Sequence, residues 1–592
     1  NTMSLSKNIN TFEKGIFTYC KIKAKDDCPP WTLQSKKIKH DLAKKTIYYD
    51  NVFLKIYDFP IFYFPKFSHP DPTVKRRSGV LLPTLTNSTT LGSGVAVPYF
   101  WNMANDKDFT FTPKFFINEN PLYLSEYRQD FINSFLIVDA GYTQGYKKKK
   151  AKKTSGGRAH VFSNFNMNFI DGQNKFSSLE INFEKVSNDT YLKIYDIKSS
   201  LVETGKTVLE NKINFAYQNK DFYFGLTPSV YEDTNKNGHL RHEYLLPLTI
   251  EKNIMASEKY GSLDFGSNMR LRNYETNKQL NLFVNDFNWK SNKWLNTLGI
   301  ENYFEGLIKN VNYKAQNIAE YKVDKSNFEL NSAFGYFAKF PLFKEDFIKN
   351  NFHSLTPRFL FRYAPGHMRK TNGGRLNYGN LFNLNKLNEL DVLEPGLSAS
   401  IGFEYKKNKF DNSKNITDEV ISFSIGQVVS EKENMSIPSS TSLDQRFSDV
   451  VAESRYSINN NMNLSYNFSI DQGYKNFNYN EIGADFTFEK AKFNLSFLEE
   501  KKHIGNAEYV KTGIDYKLNN STELSFNTKR NLLTDSAEFY NLSYNYINDC
   551  LTAGIAYRRE FYNDRDVEPE NTLMFTISII PFAKINSPSF SR

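Results

Sequence analysis

Met462-Asn463-Leu464-Ser465-Tyr466-Asn467-Phe468-Ser469-Ile470 puts Met462, Leu464, Tyr466, Phe468 and Ile470 on one face of an extended chain and Asn463, Ser465, Asn467 and Ser469 on the other. Alternation this strict is the signature of a strand with one apolar and one polar face. The same pattern recurs in Leu179-Glu180-Ile181-Asn182-Phe183-Glu184, Lys492-Phe493-Asn494-Leu495-Ser496-Phe497 and Glu523-Leu524-Ser525-Phe526-Asn527. Clusters such as Asn519-Asn520 and Asn548-Asp549 separate these segments and read as hairpin turns. No apolar run reaches the roughly 18 residues that a spanning helix needs, and sustained helical periodicity is hard to find.

The chain has 592 residues, of which 16% are aromatic and 40% hydrophobic, yet its mean hydropathy is −0.56. Apolar side chains confined to one face of each strand reconcile these values. A sandwich also alternates, but residues 76–592 far exceed one ordinary domain and contain no clear linker. One very large closed antiparallel sheet is therefore expected over residues 76–592, with residues 1–75 forming a separate β-piece. At transmembrane strand lengths this allows on the order of 22 to 26 strands. A solenoid is the main structural rival, and no fixed short period supports it.

Between the two regions lies Phe59-Pro60-Ile61-Phe62-Tyr63-Phe64-Pro65-Lys66-Phe67-Ser68-His69-Pro70-Asp71-Pro72, which leads through Arg76-Arg77-Ser78-Gly79 to strand-like segments interrupted by Pro83 and Pro98. Proline lacks the backbone donor, so two prolines in the first two strands mark a weak edge. At the other end Leu573, Phe575, Ile577 and Ile579 share one face and Thr576 and Ser578 the other, with Phe582 close behind, as in a terminal barrel strand.

The net charge of +10 follows an abundance of lysine without a basic stripe, so nucleic acid is not an expected partner. The sharpest cluster, Lys147 to Lys153 with Ala151 between, reads as the cap of a solvated loop. Three cysteines, Cys20, Cys28 and Cys550, do not make a disulfide scaffold. The chain opens at Asn1 without an initiator methionine, which points to a processed form or a fragment. None of the eight histidines sits in a nucleophile elbow or a metal motif. His239 and His242 are spaced to opposite faces of a strand. Asp233-Thr234-Asn235-Lys236-Asn237-Gly238 imitates the start of a calcium loop, but Tyr244 stands where a bidentate glutamate is required, so an exposed turn is expected. No enzyme, cofactor or metal site is expected.

Several motifs in one order resemble the outer-membrane lipopolysaccharide assembly family, in its alphaproteobacterial branch. They are Phe17-Thr18-Tyr19-Cys20, Trp31, Tyr48-Tyr49-Asp50-Asn51, Pro60 to Pro65, Arg76 to Gly79, Pro98-Tyr99-Phe100-Trp101-Asn102 and Glu126-Tyr127-Arg128. Weaker echoes follow at His353-Ser354-Leu355-Thr356-Pro357, Ile425-Gly426-Gln427, Ser448-Asp449 and Asn548-Asp549-Cys550. The resemblance implies that residues 1–75 are the C-terminal part of a periplasmic β-jellyroll, most of which is missing here, and that the rest is an outer-membrane barrel. It implies lipopolysaccharide as cargo, a plug lipoprotein (LptE), and a periplasmic bridge protein (LptA) reached through the missing jellyroll. It also implies a lateral gate where the first strand, near Ser78 to Thr86, meets the last, near Asn571 to Phe582, with Pro83, Pro98, Leu573, Phe575 and Ile577 at the joint. Cys20 and Cys550 match family cysteine positions, so a Cys20–Cys550 bond is implied, with Cys28 as alternative partner for either and a local Cys20–Cys28 bridge as the competing pattern. A general porin or solute transporter is the alternative reading, and an outer-membrane phospholipase or protease a more distant one.

Overall fold

The computed structural model describes residues 3–5, 8–20, 29–71, 73–74, 76–81, 83–150, 153–170, 172, 174–321, 325–346, 348–371, 374–410, 416–458, 461–501, 506–562 and 565–579. Five strands, β1 (Met3–Leu5), β2 (Ile9–Phe17), β3 (Trp31–Asp41), β4 (Thr46–Ile56) and β5 (Phe59–Pro70), pair antiparallel in chain order. Trp31, Leu33, Ile38, Ile47, Tyr49 and Val52 are buried on one face of this sheet. Asn51 has φ 51° between Tyr49 and Val52, and this kink keeps both of those side chains on the buried face.

All later strands close into one antiparallel barrel. Thirty-one hydrogen-bonded segments merge into twenty-six strands, because five strands are interrupted part-way. Four of the five interruptions fall at Pro83, Pro98, Pro228 and Pro341, where the missing donor stops the ladder and the strand resumes beyond it. The fifth is at Ser291-Asn292-Lys293. The strand Met462–Ile470 has the limits its alternation implies, and the Asn519-Asn520 and Asn548-Asp549 turns join consecutive strands.

Along the last eight strands the outward side chains are apolar, among them Ile482, Leu495, Ile514, Leu542, Tyr544, Ile555 and Phe575. Inward positions there carry amides and hydroxyls, and Asn467 Nδ2 donates to Glu481 Oε2 at 3.0 Å. The opposite side of the lumen is filled instead. Between strands Asn351–Ala364 and Gly396–Phe410, residues 374–395 fold inward so that Leu381, Phe382, Leu384 and Leu387 pack on Tyr303, Leu307, Phe337 and Leu360. The close approach depends on Gly426, where an added Cβ would collide with the Leu381 side chain and the facing backbone. Ile425-Gly426-Gln427 and Ser448-Asp449 meet here: Gln427 Nε2 donates to Ser448 O at 2.8 Å, and Val428 N to Ser448 Oγ at 2.9 Å. Asp449 then accepts from Ser469 Oγ at 2.8 Å and Asn478 Nδ2 at 2.6 Å.

Candidate functional site

The barrel closes where its last strand, Glu570–Ile579, meets the first, Gly79–Val80 continued by Thr84–Ser88. Thr572, Leu573, Met574 and Phe575 pair with Ser88, Asn87, Thr86 and Leu85, and the ladder stops there. On its other side the last strand makes ten residue pairs with Leu551–Glu560. Among the described residues the closing ladder of four pairs is the shortest between any adjacent barrel strands; the next shortest has six.

Continuing the register would set Pro83 opposite Ile577, so the pairing ends where the proline stands. Phe575 is 40% and Ile577 39% exposed on the outer face, whereas Met574 is buried inward. Pro98 lies in the second strand, as its spacing implies, one ladder removed from the seam, and its carbonyl accepts from Leu81 N at 2.8 Å. Across the two prolines the register of strands one and two slips by one residue, from Val80 opposite Tyr99 to Thr84 opposite Ala96. Pro83 and Pro98 thus dislocate the first hairpin, and only Pro83 touches the end of the seam. The implied strand limits also shift: the seam uses Leu85–Ser88 rather than Ser78 to Thr86, and Ile580 to Phe582 lie outside the described residues.

At the barrel end beside the N-terminal sheet two quoted motifs converge on one carboxylate that sequence reading did not single out. Asp108 is buried and accepts from Arg76 Nη2 and, at 2.9 Å, from Arg128 Nε. Arg76 Nη1 also donates to Asn105 O at 2.8 Å, and Asn102 N to Ser78 Oγ at 2.9 Å. This network fixes the entry of the chain into the barrel beside the seam.

A disulfide joins Cys20 to Cys550, with α-carbons 5.1 Å apart, and so ties the N-terminal sheet to the turn before the penultimate strand. Cys28 lies outside the described residues. The buried Trp31 indole donates to the Cys550 carbonyl at 3.1 Å. His69, inside the sheet, has Nε2 2.7 Å from the Tyr49 hydroxyl and Nδ1 2.7 Å from the Pro70 carbonyl. A carbonyl only accepts, so Nδ1 carries the proton and Nε2 accepts from Tyr49. Burial holds the His69 imidazole down to about 4 and pushes the Tyr49 phenol up.

At the opposite mouth the loop 187–207, with the short helix α1 (Tyr191–Ile194), packs Tyr191, Ile194, Tyr195 and Val202 on Leu91, Phe116, Leu122 and Phe162. The last loop before the closing strand is strapped to it. Asp566 pairs with the buried Arg158 at 3.0 Å and accepts from Thr190, and Arg565 pairs with Asp189 at 3.0 Å. A cavity of about 660 Å³ remains between this loop and the end of the barrel, lined by Lys193, Lys198, Arg558, Glu560, Glu570 and Thr572. No group of three metal-ligating side chains occurs among the described residues. His239 lies in a single 3-10 turn and His242 opens the next strand; Asp233 Oδ1 caps its own turn by accepting from Asn235 N at 3.0 Å. Lys147 ends near the tip of a long hairpin, where its amide donates to Glu119 Oε2 at 2.8 Å; Ala151 and Lys152 lie outside the described residues.

A profile of the family described as LPS transport system D matches residues 156–529, most of the barrel. The chain belongs to the LptD family. The LPS-assembly protein LptD of Shewanella oneidensis is 27% identical over 254 residues, covering 42% of this chain and 31% of that protein. LptD of Legionella pneumophila strain Paris is 23% identical over 275 residues, covering 45% and 31%. The chain thus spans about a third of the length of the curated LptD relatives it matches. Among solved structures, the ferric preacinetobactin receptor BauA of Acinetobacter baumannii aligns over 95% of this chain and 92% of its own at 7% identity and a TM-score of 0.30, on which no conclusion rests. Membership in the LptD family together with the closed barrel places the protein in the outer membrane of a Gram-negative cell.

Proposed function

We propose that this chain delivers lipopolysaccharide to the outer leaflet. The sugar head passes through the polar side of the lumen, and the acyl chains leave sideways between the first and last strands. Pro83, Leu573, Phe575 and Ile577 line that lateral gate, with Pro98 loosening the hairpin behind it. The observation that carries the reading is the four-pair closing ladder beside a ten-pair neighbour. A cargo with a polar head and apolar tails needs a wall that parts at one place, and the place of least pairing is the cheapest to part. Domain assignment follows the same reading: residues 1–75 are the end of a periplasmic jellyroll and 76–592 the barrel. The partners proposed with it are an LptE-type plug lipoprotein in the lumen and an LptA-type bridge protein in the periplasm.

A diffusion porin needs an open lumen, and the inward segment 374–395 with its apolar packing argues against that alternative. Replacing both Pro83 and Pro98 with valine tests the proposal. Surface delivery of lipopolysaccharide should fall while the barrel stays folded and its permeability to small sugars stays low. Unchanged delivery by a folded double variant, or sugar flux of porin magnitude through the parent protein, would return the function to the porin class.

A further inference from the structure

The hairpin joining β4 to β5 is apolar on both faces at its tip, which is unusual for a sheet that buries one side. On the face that carries the buried Val52, Phe59 is 71% and Phe62 57% exposed. On the other face Phe53, paired with Tyr63 at a ring separation of 4.9 Å, is also exposed, together with Ile61. A sheet awaiting a second sheet would expose apolar groups on one face only. Apolar groups on both faces suit a surrounding apolar medium.

The position of the tip says which medium. Tyr57, in the turn of this hairpin, contacts Tyr546, their rings 6.3 Å apart and edge-on, with the two hydroxyls hydrogen-bonded. Tyr546 continues the outward column Tyr540, Leu542, Tyr544 of its barrel strand, whose inward column is Asn541, Ser543 and Asn545. The hairpin therefore abuts the lipid-facing side of the barrel rim, where Leu518 and Tyr516 of a nearby strand are exposed as well. Tyrosine and other aromatic rings favour this headgroup level of a bilayer.

We propose that the Tyr57–Tyr63 hairpin is a membrane foot: its aromatic tip enters the periplasmic leaflet of the outer membrane, with phospholipid as its occupant on both faces. The Cys20–Cys550 bond and the Trp31–Cys550 hydrogen bond hold the foot at that depth. This inference depends on the barrel lying in a bilayer and not on what the barrel transports.

The test uses the whole chain with Cys28→Ser, reconstituted in phosphatidylethanolamine and phosphatidylglycerol vesicles after the Cys20–Cys550 bond has formed, that bond reporting the fold. Single nitroxides are attached at Phe62→Cys and Tyr63→Cys, one on each face. Leu542→Cys serves as the lipid reference and Lys36→Cys as the water reference. Collision with oxygen relative to a water-soluble nickel chelate should be several-fold higher at both hairpin sites than at position 36, matching position 542. Free access of the nickel chelate at either site would mean a solvated hairpin and overturn the proposal. Exclusion of both colliders at either site would mean a protein cover and overturn it equally.

Discussion

Locking the closing ladder should stop export, and its dimensions set the size of the effect. Four residue pairs correspond to about four backbone hydrogen bonds, each worth roughly 0.5–1.5 kcal/mol net, so parting them costs about 2–6 kcal/mol. At 1.4 kcal/mol per decade this leaves an open population between about one in 30 and one in 20,000. The ten-pair neighbour, on the same scale, costs roughly 5–15 kcal/mol and opens in fewer than about one molecule in several thousand. Asn87 and Leu573 are direct partners at the seam, within the α-carbon separation that a disulfide spans. Asn87→Cys with Leu573→Cys should bond on oxidation and lower lipopolysaccharide at the cell surface by at least about tenfold, because a covalent link removes the open state. Arg559→Cys with Asn571→Cys crosslinks the adjacent ten-pair ladder and should leave delivery unchanged. Surface labelling with a lipopolysaccharide antibody gives the delivery. Non-reducing peptide maps give the crosslink and verify that Cys20–Cys550 is intact. Normal delivery by a protein fully crosslinked between positions 87 and 573 would refute the seam as the exit, as would equal loss from both crosslinks.

Three other outcomes follow from the same contacts. His69 is held near 4 in the fold against an ordinary 6.5, so the unfolded chain takes up the proton first as pH falls; the N-terminal sheet should lose up to roughly 3 kcal/mol between pH 6.5 and 4, read as a falling urea midpoint and flattened in His69→Gln. Trp31→Phe removes the donor to the buried Cys550 carbonyl at a cost of about 1 kcal/mol, and should lower the yield of the Cys20–Cys550 bond in a glutathione buffer. Arg158→Ala strands the Asp566 carboxylate at a local cost of about 3–5 kcal/mol, and should speed hydrogen exchange in residues 565–569 while leaving the far strands unchanged.

The fold class was legible because a barrel strand writes its two environments into alternate residues: Met462–Ile470 is a strand with the limits its pattern implies, and the terminal run Leu573, Phe575, Ile577 faces outward as its parity requires. The Cys20–Cys550 pairing came from resemblance rather than pattern, since spacing in the chain places no constraint on which turn lies beneath the N-terminal sheet.

What alternation cannot carry is the identity of a strand's partner or the depth of a loop. Pro83 and Pro98 look equivalent in sequence, yet closure of the ring puts one at the end of the seam and the other a ladder away. Asp108 reads as an ordinary acidic residue until the first, third and fourth strands bring Arg76 and Arg128 against it. Residues 374–395 carry Leu376, Leu381, Phe382, Leu384 and Leu387, all buried in the structure. Where they go was decided by the inner wall they meet and by Gly426, which leaves room for Leu381. Arg158 and Asp566 stand 408 residues apart, and only the closed ring makes them neighbours. The sequence by itself determined the local periodicity and hence a large β-barrel, because side-chain direction in a strand is a property of adjacent residues. Register, seam length and lumen filling were decided by the tertiary structure, because each depends on which distant backbone supplies the next hydrogen bond.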